Sequence, residues 1–546
     1  MCWTFFCRCE VVTLFTTHRN IKLSTMHHTH DPVHFGLLIV NSDLSIKGIR
    51  SILRFASFIV SNKLYILLRS PRCQKRCEHL WKRCISLYYS SASCLCPDLD
   101  VCLLLPRTPQ TVINKSRTFD VIITDDMTGD EKEITRLASA FGTGPDRCNV
   151  IRYKIASADD PSSEGSEITT YPSVCVGGTF DTFHHGHRVL LSIAALLTGC
   201  RLLVGVTDIC LLRKKFLAPL IQTCETREAT LSRFLTDIDF PEKQLVIHRL
   251  TDPYGPPSRQ PDFQCIIASS ETVPGCEKIN EMRRDMNFDP LHIEKVEYVA
   301  CNCENRYRFP RDYVDFKFSS STLRLNLLGR PLLYLQPKHD TRVIGLTGAI
   351  ASGKSIIANY LKECGDDQVC LVNADSICRR VYESAPGSCM NLRNYFNLET
   401  IKRLDAPLKV NTFEKSKIAS LTKVEVDRLR FKHPLIVVLE GTLLFEVGLE
   451  AICDEIWSVF IPRSEAVNRI EARCAITDEE VLRSVRDQSS EATVDWWTPC
   501  QRGAGVGPIG RANIVFCTVW DAEFTREQVK RAWQYLSQAI SPLNLL

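Results

Sequence analysis

The chain has 546 residues, 45% of them hydrophobic and 24% charged, with a formal net charge of +4. That length supplies several domains, and the apolar share excludes a wholly disordered chain. So small a net charge argues against a protein that coats nucleic acid, so affinity for anions has to be local.

The first 110 residues hold two short apolar runs, "FGLLIV" and "FASFIV", interrupted by Asp43, Lys47, Arg50 and Arg54. Neither reaches the ~18 residues of a membrane span. The opening twenty residues carry few acids; they read as an undistinguished N-terminus, with a weak organelle-targeting segment as the alternative. The 26 cysteines are scattered, with CxC pairs at Cys7/Cys9, Cys94/Cys96 and Cys301/Cys303 but no matched CxxC sets. They read as reduced intracellular thiols, not zinc ligands. "RSPRCQKRCEHLWKRCISLYYSSASCLC", residues 69–96, shows no sustained period, and no element is predicted there.

Farther on, "TFDVIITDD" predicts a buried strand and "DEKEITRLASAF" a helix. "ASADDPSSEGSEITTYP" is a polar linker. A patterned domain then begins. "SVCVGG" predicts a strand. "HRVLLSIAALLTG" predicts a helix with Val189, Leu190, Ile193, Ala194 and Leu197 on one face and Gly199 at its C-terminal end. "RLLVGVTD" and "ETREATLSRFLTDI" continue the strand–helix alternation, which implies a parallel sheet. After the connector "YLQPKHDT", five more strands are predicted in "VIGLTG", "QVCLVNAD", "LIVVLEG", "IWSVFIP" and "NIVFCTVW". Capping-box spacings occur at Thr477–Glu480 and at Thr525 with Gln528. The last helix is expected to bury Val529, Trp533, Leu536 and Ile540.

The sharpest motif is Gly348-Ala-Ile-Ala-Ser-Gly-Lys-Ser355, which fits G-x-x-x-x-G-K-[ST] between an apolar strand and a helix with Ile356, Ile357, Tyr360, Leu361 and Cys364 on one face. Glycine lets backbone N–H groups curl around phosphate oxygens, and the helix N-terminus adds positive potential. Gly348, Ser352, Gly353, Lys354 and Ser355 are therefore candidate ATP-binding residues. Lys354 is expected on the β- and γ-phosphates and Ser355 on Mg²⁺. Asp375 closes the second strand as a candidate for the acceptor hydroxyl. Arg469, Arg473, Arg483 and Arg486 cluster around "ITDEE" as a candidate lid.

"GGTFDTFHHGH", Gly177 to His187, lacks the lysine but also joins a strand to a helix. Gly186 allows close approach to a ligand, His184 and His187 are candidate phosphate donors, and Thr179 is placed to hold a phosphate. The basic run Arg213 to Lys215 is a candidate anion clamp, and "FSSSTLR", Phe318 to Arg324, offers hydroxyls and an arginine ahead of a helix.

Together these segments resemble known families. Gly177–His187 resembles the HxGH motif of the nucleotidyltransferase superfamily, and "FSSSTLR" its ISSTxIR motif. "DPYGPP" and "SSET" resemble the archaeal and eukaryotic type of phosphopantetheine adenylyltransferase. Residues 343–546 resemble dephospho-CoA kinase, including "LLFEVGL" at Leu443–Leu449. The tandem order is that of the bifunctional coenzyme A synthase family, and "FGLLIVNSDLSIKG" and "TFDVIITDD" look like its N-terminal region. The resemblance implies an α/β protein of two tandem parallel-sheet domains: a nucleotidyltransferase Rossmann-like domain at 170–335 and a P-loop kinase domain at 341–546. A less defined, part-α/β region at 1–169 precedes them.

It further implies adenylyl transfer from ATP to 4′-phosphopantetheine, then phosphorylation of dephospho-CoA at its ribose 3′-hydroxyl. Carried over, His184 and His187 stabilise the first transition state. Lys215 and Thr179 hold the substrate phosphate. Gly178, Thr179, Phe180, Ser320, Ser321 and Arg324 contact ATP, and Arg473 sits in the kinase lid. Asp375 serves the second acceptor and Mg²⁺ accompanies ATP. The implied partners are these small molecules, with no nucleic acid and no membrane span. The implied location is cytoplasmic, with a mitochondrial or outer-membrane-associated address as the alternative. Where the kinase family has Asp-x-Asp this chain has Asn373-Ala-Asp375, and an amide cannot accept a proton as a carboxylate does. "EATVDWWTPCQRGAGVGPIGR" reads as an insertion. The runner-up reading is an active adenylyltransferase whose kinase half only binds ATP, as scaffold or sensor.

Overall fold

The computed structural model describes residues 2–7, 10–15, 33–106, 118–125, 149–153, 166–212, 215–297, 310, 319–332, 341–349, 351–384, 412–432, 435–474 and 507–540. The expected helix over "DEKEITRLASAF", the capping box at Thr477, and Arg213, His433, Arg483 and Arg486 lie outside these residues. The chain divides into two compact units. One comprises Met1–Leu211, Cys224–Cys303 and Lys317–Ser320; the other comprises Leu212–Thr223, Glu304–Phe316 and Ser321–Leu546.

The first unit contains two sheets. Strands β1 (Cys2–Cys7), β2 (Glu10–Phe15), β3 (Val33–Val40), β4 (Val60–Leu68), β5 (Asp100–Leu103), β6 (Val121–Thr124) and β7 (Asn149–Tyr153) form a seven-stranded sheet. Its order is β1-β2-β7-β6-β3-β4-β5, and the five strands from β7 to β5 are mutually parallel. "TFDVIITDD" is thus the buried strand that its apolar run predicts. Helix α1 (Ile46–Ile59) connects β3 to β4, and α2 (Glu78–Leu95) leads to β5.

Helix α2 corrects the reading of residues 69–96 as patternless. It buries Trp81, Ile85, Tyr88, Tyr89 and Ala92, a spacing of four, three, one and three that defines one helical stripe. The intervening cysteines and serines are intermediate in polarity, and they blurred that stripe in the sequence.

The second sheet joins β8 (Tyr171–Gly178), β9 (Thr198–Thr207), β10 (Leu245–Leu250), β11 (Cys265–Ser269) and β12 (His292–Val296) in the all-parallel order β10-β9-β8-β11-β12. Helix α3 (His185–Leu197) follows β8, and α4 (Cys224–Asp237) follows β9. α3 ends at Leu197 with an extended Thr198 as its C-cap, so Gly199 lies inside β9 and not at a helix end as expected. The connection is so tight that no left-handed residue is needed to stop the helix.

One continuous apolar core runs through both sheets, from Leu37, Ile66 and Tyr89 to Val176, Leu191 and Phe234. Polar groups reinforce it. Arg188 on α3 pairs with Asp100 of β5 at 2.6 Å and donates to the Val101 carbonyl at 2.9 Å. Lys63 bridges Asp100 at 3.0 Å and Asp237 at 2.5 Å. Asp100, Cys102 and Asp237 lie close enough to suggest a metal site. The two cations already neutralise the carboxylates, so this is an ion-pair network.

The second unit holds β13 (Arg342–Gly348), β14 (Val369–Asn373), β15 (Ile436–Glu440), β16 (Glu455–Phe460) and β17 (Ile514–Cys517), in the parallel order β14-β15-β13-β16-β17. All five coincide with predicted strands. Helix α5 (Ser320–Leu327) is the "SSSTLR" segment. Leu325 and Leu328 pack with Leu217, Leu220, Phe460, Val515 and Phe524 in one apolar cluster. Residues 212–223 and 321–332 therefore belong with the β16–β17 edge.

Helix α6 (Lys354–Gly365) buries Ile357 and Leu361 but leaves Ile356 41% exposed and Cys364 at the surface, a narrower face than expected. The final helix, α7 (Ala522–Ile540), buries Val529 and Leu536; the Ile540 side chain lies outside the described residues. Its cap is Asp521, whose Oδ1 accepts from Phe524 N–H at 2.8 Å. Thr525 is inside the helix, so the capping-box reading there is wrong by one turn. Glu455 accepts from Arg342, Trp457 Nε1 and Tyr535 in the middle of this unit.

Removing one partner of a buried ion pair leaves an uncompensated charge. Glu455→Ala should therefore lower stability by about 3–5 kcal/mol, read as a lower urea midpoint for the second unit. Glu455→Gln should recover part of the loss.

Candidate functional sites

Each parallel sheet delivers the carboxyl end of its first strand to a helix start, where ligands bind in open α/β sheets. In the first unit β8 runs out through Gly177 and Gly178. Phe180 and Thr182 then take positive φ values of 51° and 46°. Phe180 is buried, so it faces a ligand only through its backbone. Thr179 is half-buried, and its carbonyl accepts from Arg227 of α4 at 2.8 Å; Arg227 also donates to the Thr207 carbonyl at 2.9 Å. Arg227 is fully buried and fixes the turn from beneath. Sequence reading passed over it because it looks like any helical arginine.

The turn ends in a capping box made of histidines. His184 is the N-cap, and its Nδ1 accepts from Gly186 N–H at 3.1 Å. His187 Nδ1 accepts from His184 N–H at 3.4 Å. Both Nδ1 atoms are acceptors, so both rings carry their proton on Nε2. The rings stack at 3.8 Å, giving two N–H donors side by side. A Cβ on Gly186 would lie 2.9 Å from the His184 ring, which is why only glycine fits there. Ser320 Oγ donates to the Asp181 carbonyl at 2.8 Å and lies 3.4 Å from His184 Nε2.

The intervening His185 points the other way, into the core against Tyr89. Desolvation, then the neighbouring Arg188, pushes His185 down to about 3. The same causes in the same order push His187 down to about 3. His187 as a residue is half-buried.

Lys215, Ser321 and Arg324 belong to the second unit. Arg324 is buried and donates to the Phe216 carbonyl at 2.9 Å, beside exposed Lys215, and to Ser321 Oγ at 3.1 Å. The "DPYGPP" segment is organised by Asp252, whose Oδ1 accepts from Tyr254 and Gly255 N–H and whose Oδ2 accepts from Arg259.

In the second unit β13 leads into the glycine-rich loop. A Cβ on Gly348 would meet the Val459 carbonyl at 2.3 Å, and Gly353 has φ 92°. Ser352 is buried, and Lys354 folds back so that its Nζ donates to the carbonyls of Gly348 at 2.9 Å and Ala349 at 3.1 Å. Ser355 Oγ donates to Glu440 Oε1 at 2.5 Å. Glu440 ends β15 and was not singled out in the sequence; its place at the end of an apolar strand was the available signal. A hydroxyl and a carboxylate are hard oxygen donors of the kind Mg²⁺ takes.

Asp375 lies in the first turn of α8 (Ala374–Ser384), not at the end of the strand, and accepts from Thr442 N–H and Oγ1 at 3.0 and 2.9 Å. Asn373 Oδ1 caps that helix by accepting from Ser376 N–H at 2.8 Å. Burial pushes Glu446, in "LLFEVGL", up to about 7, with Asp375 a lesser contributor. Arg469 on α9 (Arg463–Cys474) donates to the Ala351 carbonyl at 3.2 Å and to Thr518 Oγ1 at 3.0 Å. The side chain of Arg473, the expected lid arginine, lies outside the described residues.

Two strand–turn–helix junctions, one presenting stacked imidazoles and one a lysine, have the form of the phosphate-binding turns of nucleotide-handling transferases. The dephospho-CoA kinase family model matches residues 342–496. The chain is 36% identical to the phosphopantetheine adenylyltransferase of Methanosarcina acetivorans over 129 residues, 23% of this chain and 80% of that protein. It is 29% identical to the dephospho-CoA kinase of Moorella thermoacetica over 216 residues, 36% of this chain and 94% of that protein. Against the Saccharomyces cerevisiae phosphopantetheine adenylyltransferase it is 35% identical over 125 residues and spans 41% of that protein. The chain belongs to the phosphopantetheine adenylyltransferase family, and its later residues are similar to dephospho-CoA kinases.

Unfolded histidines protonate near pH 6.5, whereas folded His185 and His187 resist until about 3. Their contribution is therefore present above pH ~6.5 and lost as pH falls. The loss is up to about 1.4 kcal/mol per pH unit for each histidine. His185→Gln should roughly halve the slope of urea midpoint against pH in the first unit, and an unchanged slope would contradict the assignment.

Proposed function

We propose that this chain catalyses the last two steps of coenzyme A synthesis, with 170–335 and 341–546 as the two catalytic segments. What supports the reading is that one chain carries two unlike strand-to-helix turns: the stacked imidazoles of His184 and His187 after β8 and the Lys354–Ser355–Glu440 group after β13.

In the first step a phosphate oxygen of 4′-phosphopantetheine attacks the α-phosphorus of ATP and pyrophosphate leaves. No protein nucleophile is required, so positioning and charge stabilisation do the work. The Nε2–H groups of His184 and His187 donate to the phosphoryl oxygens, and Thr179 and Lys215 hold the incoming phosphate. Gly178, the Phe180 backbone, Ser320, Ser321 and Arg324 serve ATP.

In the second step the ribose 3′-hydroxyl of dephospho-CoA attacks the γ-phosphorus of another ATP, its proton passes to Asp375, and ADP leaves as the bond to the γ-phosphorus breaks. Lys354 leaves its carbonyl partners for the β- and γ-phosphates, and the amides of Gly348, Ser352 and Gly353 line the phosphates. Ser355 and Glu440 would hold Mg²⁺, which would offset phosphate charge. Asp375 faces the acceptor, and Glu446 sits beside it with a carboxyl poised near neutrality. Arg473 belongs to the lid in this proposal. A reducing, cytoplasmic compartment suits free thiols such as Cys73 and Cys175.

Purified protein supplied with 4′-phosphopantetheine, ATP and Mg²⁺ should release pyrophosphate and form coenzyme A. Lys354→Ala should cut coenzyme A formation by about a hundredfold or more and leave pyrophosphate release unchanged. His184→Ala should do the reverse when dephospho-CoA is supplied directly. Accumulation of dephospho-CoA by the unaltered chain would favour the scaffold reading, and loss of both activities in either variant would defeat the two-site assignment.

A further inference from the structure

Ala351, in the glycine-rich loop, has φ 61°, a left-handed conformation that a residue with a Cβ adopts only at a cost. Such a conformation persists where the surroundings hold it. Arg469 reaches the loop from α9. Its Nη1 donates to the Ala351 carbonyl at 3.2 Å and to Thr518 Oγ1 at 3.0 Å, and its Nη2 donates to the Thr518 carbonyl. Thr518, directly after β17, passes the restraint on, because its Oγ1 donates to the Ser352 carbonyl at 2.6 Å. Glu465, one turn earlier on α9, accepts from Arg469 Nε at 2.7 Å and so fixes the plane of the guanidinium.

Peptide planarity converts these carbonyl bonds into amide directions. The Ala351 carbonyl shares a plane with the Ser352 N–H, and the Ser352 carbonyl with the Gly353 N–H, each pair pointing opposite ways. Holding both carbonyls therefore sets where both amides point. Ser352 N–H is also tied within the loop, to the Ala349 carbonyl at 3.2 Å. Ser352 and Thr518 are buried and Arg469 is half-buried, so water competes little for these bonds.

We propose that Arg469 is a positioning residue for nucleotide binding: through Ala351 and Thr518 it holds the glycine-rich loop in the shape that aims its amides at phosphate, and it does not close over the nucleotide as a lid arginine. The proposal rests on the reading of this loop as the ATP site of the kinase step. Four oxygens surround one planar group, and a lysine ammonium cannot reproduce that fork.

Hydrogen exchange of the full chain without substrate reads the clamp directly. Arg469→Gln should speed exchange in the peptide spanning residues 347–355 by about tenfold, and Thr518→Val, which keeps the side-chain shape and leaves α9 intact, should act in the same direction. With dephospho-CoA supplied, Arg469→Gln should raise the KM for ATP by about tenfold and leave the KM for dephospho-CoA and the urea midpoint unchanged. Arg469→Lys should not restore it. Glycine adopts the left-handed region freely, so in an Ala351→Gly background the effect of Arg469→Gln should shrink about fivefold. A fall in kcat with loop exchange and the KM for ATP unchanged would return Arg469 to a lid and overturn the proposal. Equal rises in both KM values, or the same effect with glycine at 351, would also overturn it. Failure of the unaltered chain to form coenzyme A would instead sink the reading of the kinase step, and the exchange measurement would still decide the clamp.

Discussion

A parallel strand cannot turn back on itself; it must hand the chain to a crossover helix, and that helix begins with amides that have no partner within it. Everything functional here depends on how those amides and their caps are arranged. After β8 the cap is His184 with His187, after β13 it is Gly353 ahead of Lys354, and after β3 it is Ser45. One backbone constraint thus yields three chemically different openings. The first presents N–H donors, the second a cation and a hydroxyl, and the third only a serine cap.

The histidine opening shows how little the motif residues achieve alone. His184 is oriented by Gly186, His187 by His184, and the turn by Arg227 from a helix some forty residues later. The following residue, Arg188, leaves the turn altogether and is tied to Asp100 of β5. Neighbouring positions in one short stretch therefore serve a ligand face, a core contact with Tyr89 and an ion-pair network.

The five strands of the second unit, with β6, β8 and β9, and both strand-to-helix turns were legible in the sequence because apolar runs and glycine spacing are local signals; the remaining strands of the first unit were not predicted. The less legible elements depended on long-range partners. Helix α2 was hidden by cysteines and serines that count neither as clearly apolar nor as clearly polar. Arg227 and Glu440 acquire meaning only from what lies across the sheet. The grouping of Lys215 and Arg324 with the β16–β17 edge has no local signature either, since it arises from leucines at 217, 220, 325 and 328 meeting Phe460 and Val515.

The lysine of the glycine-rich loop is already satisfied by two carbonyls of its own loop. Any anion that takes up this lysine has to exchange hydrogen bonds with the loop and does not simply fill a gap. Part of its binding energy goes into releasing that side chain. Loop geometry and ligand affinity at this position are thus coupled: whatever draws the side chain outward also frees the carbonyls of Gly348 and Ala349.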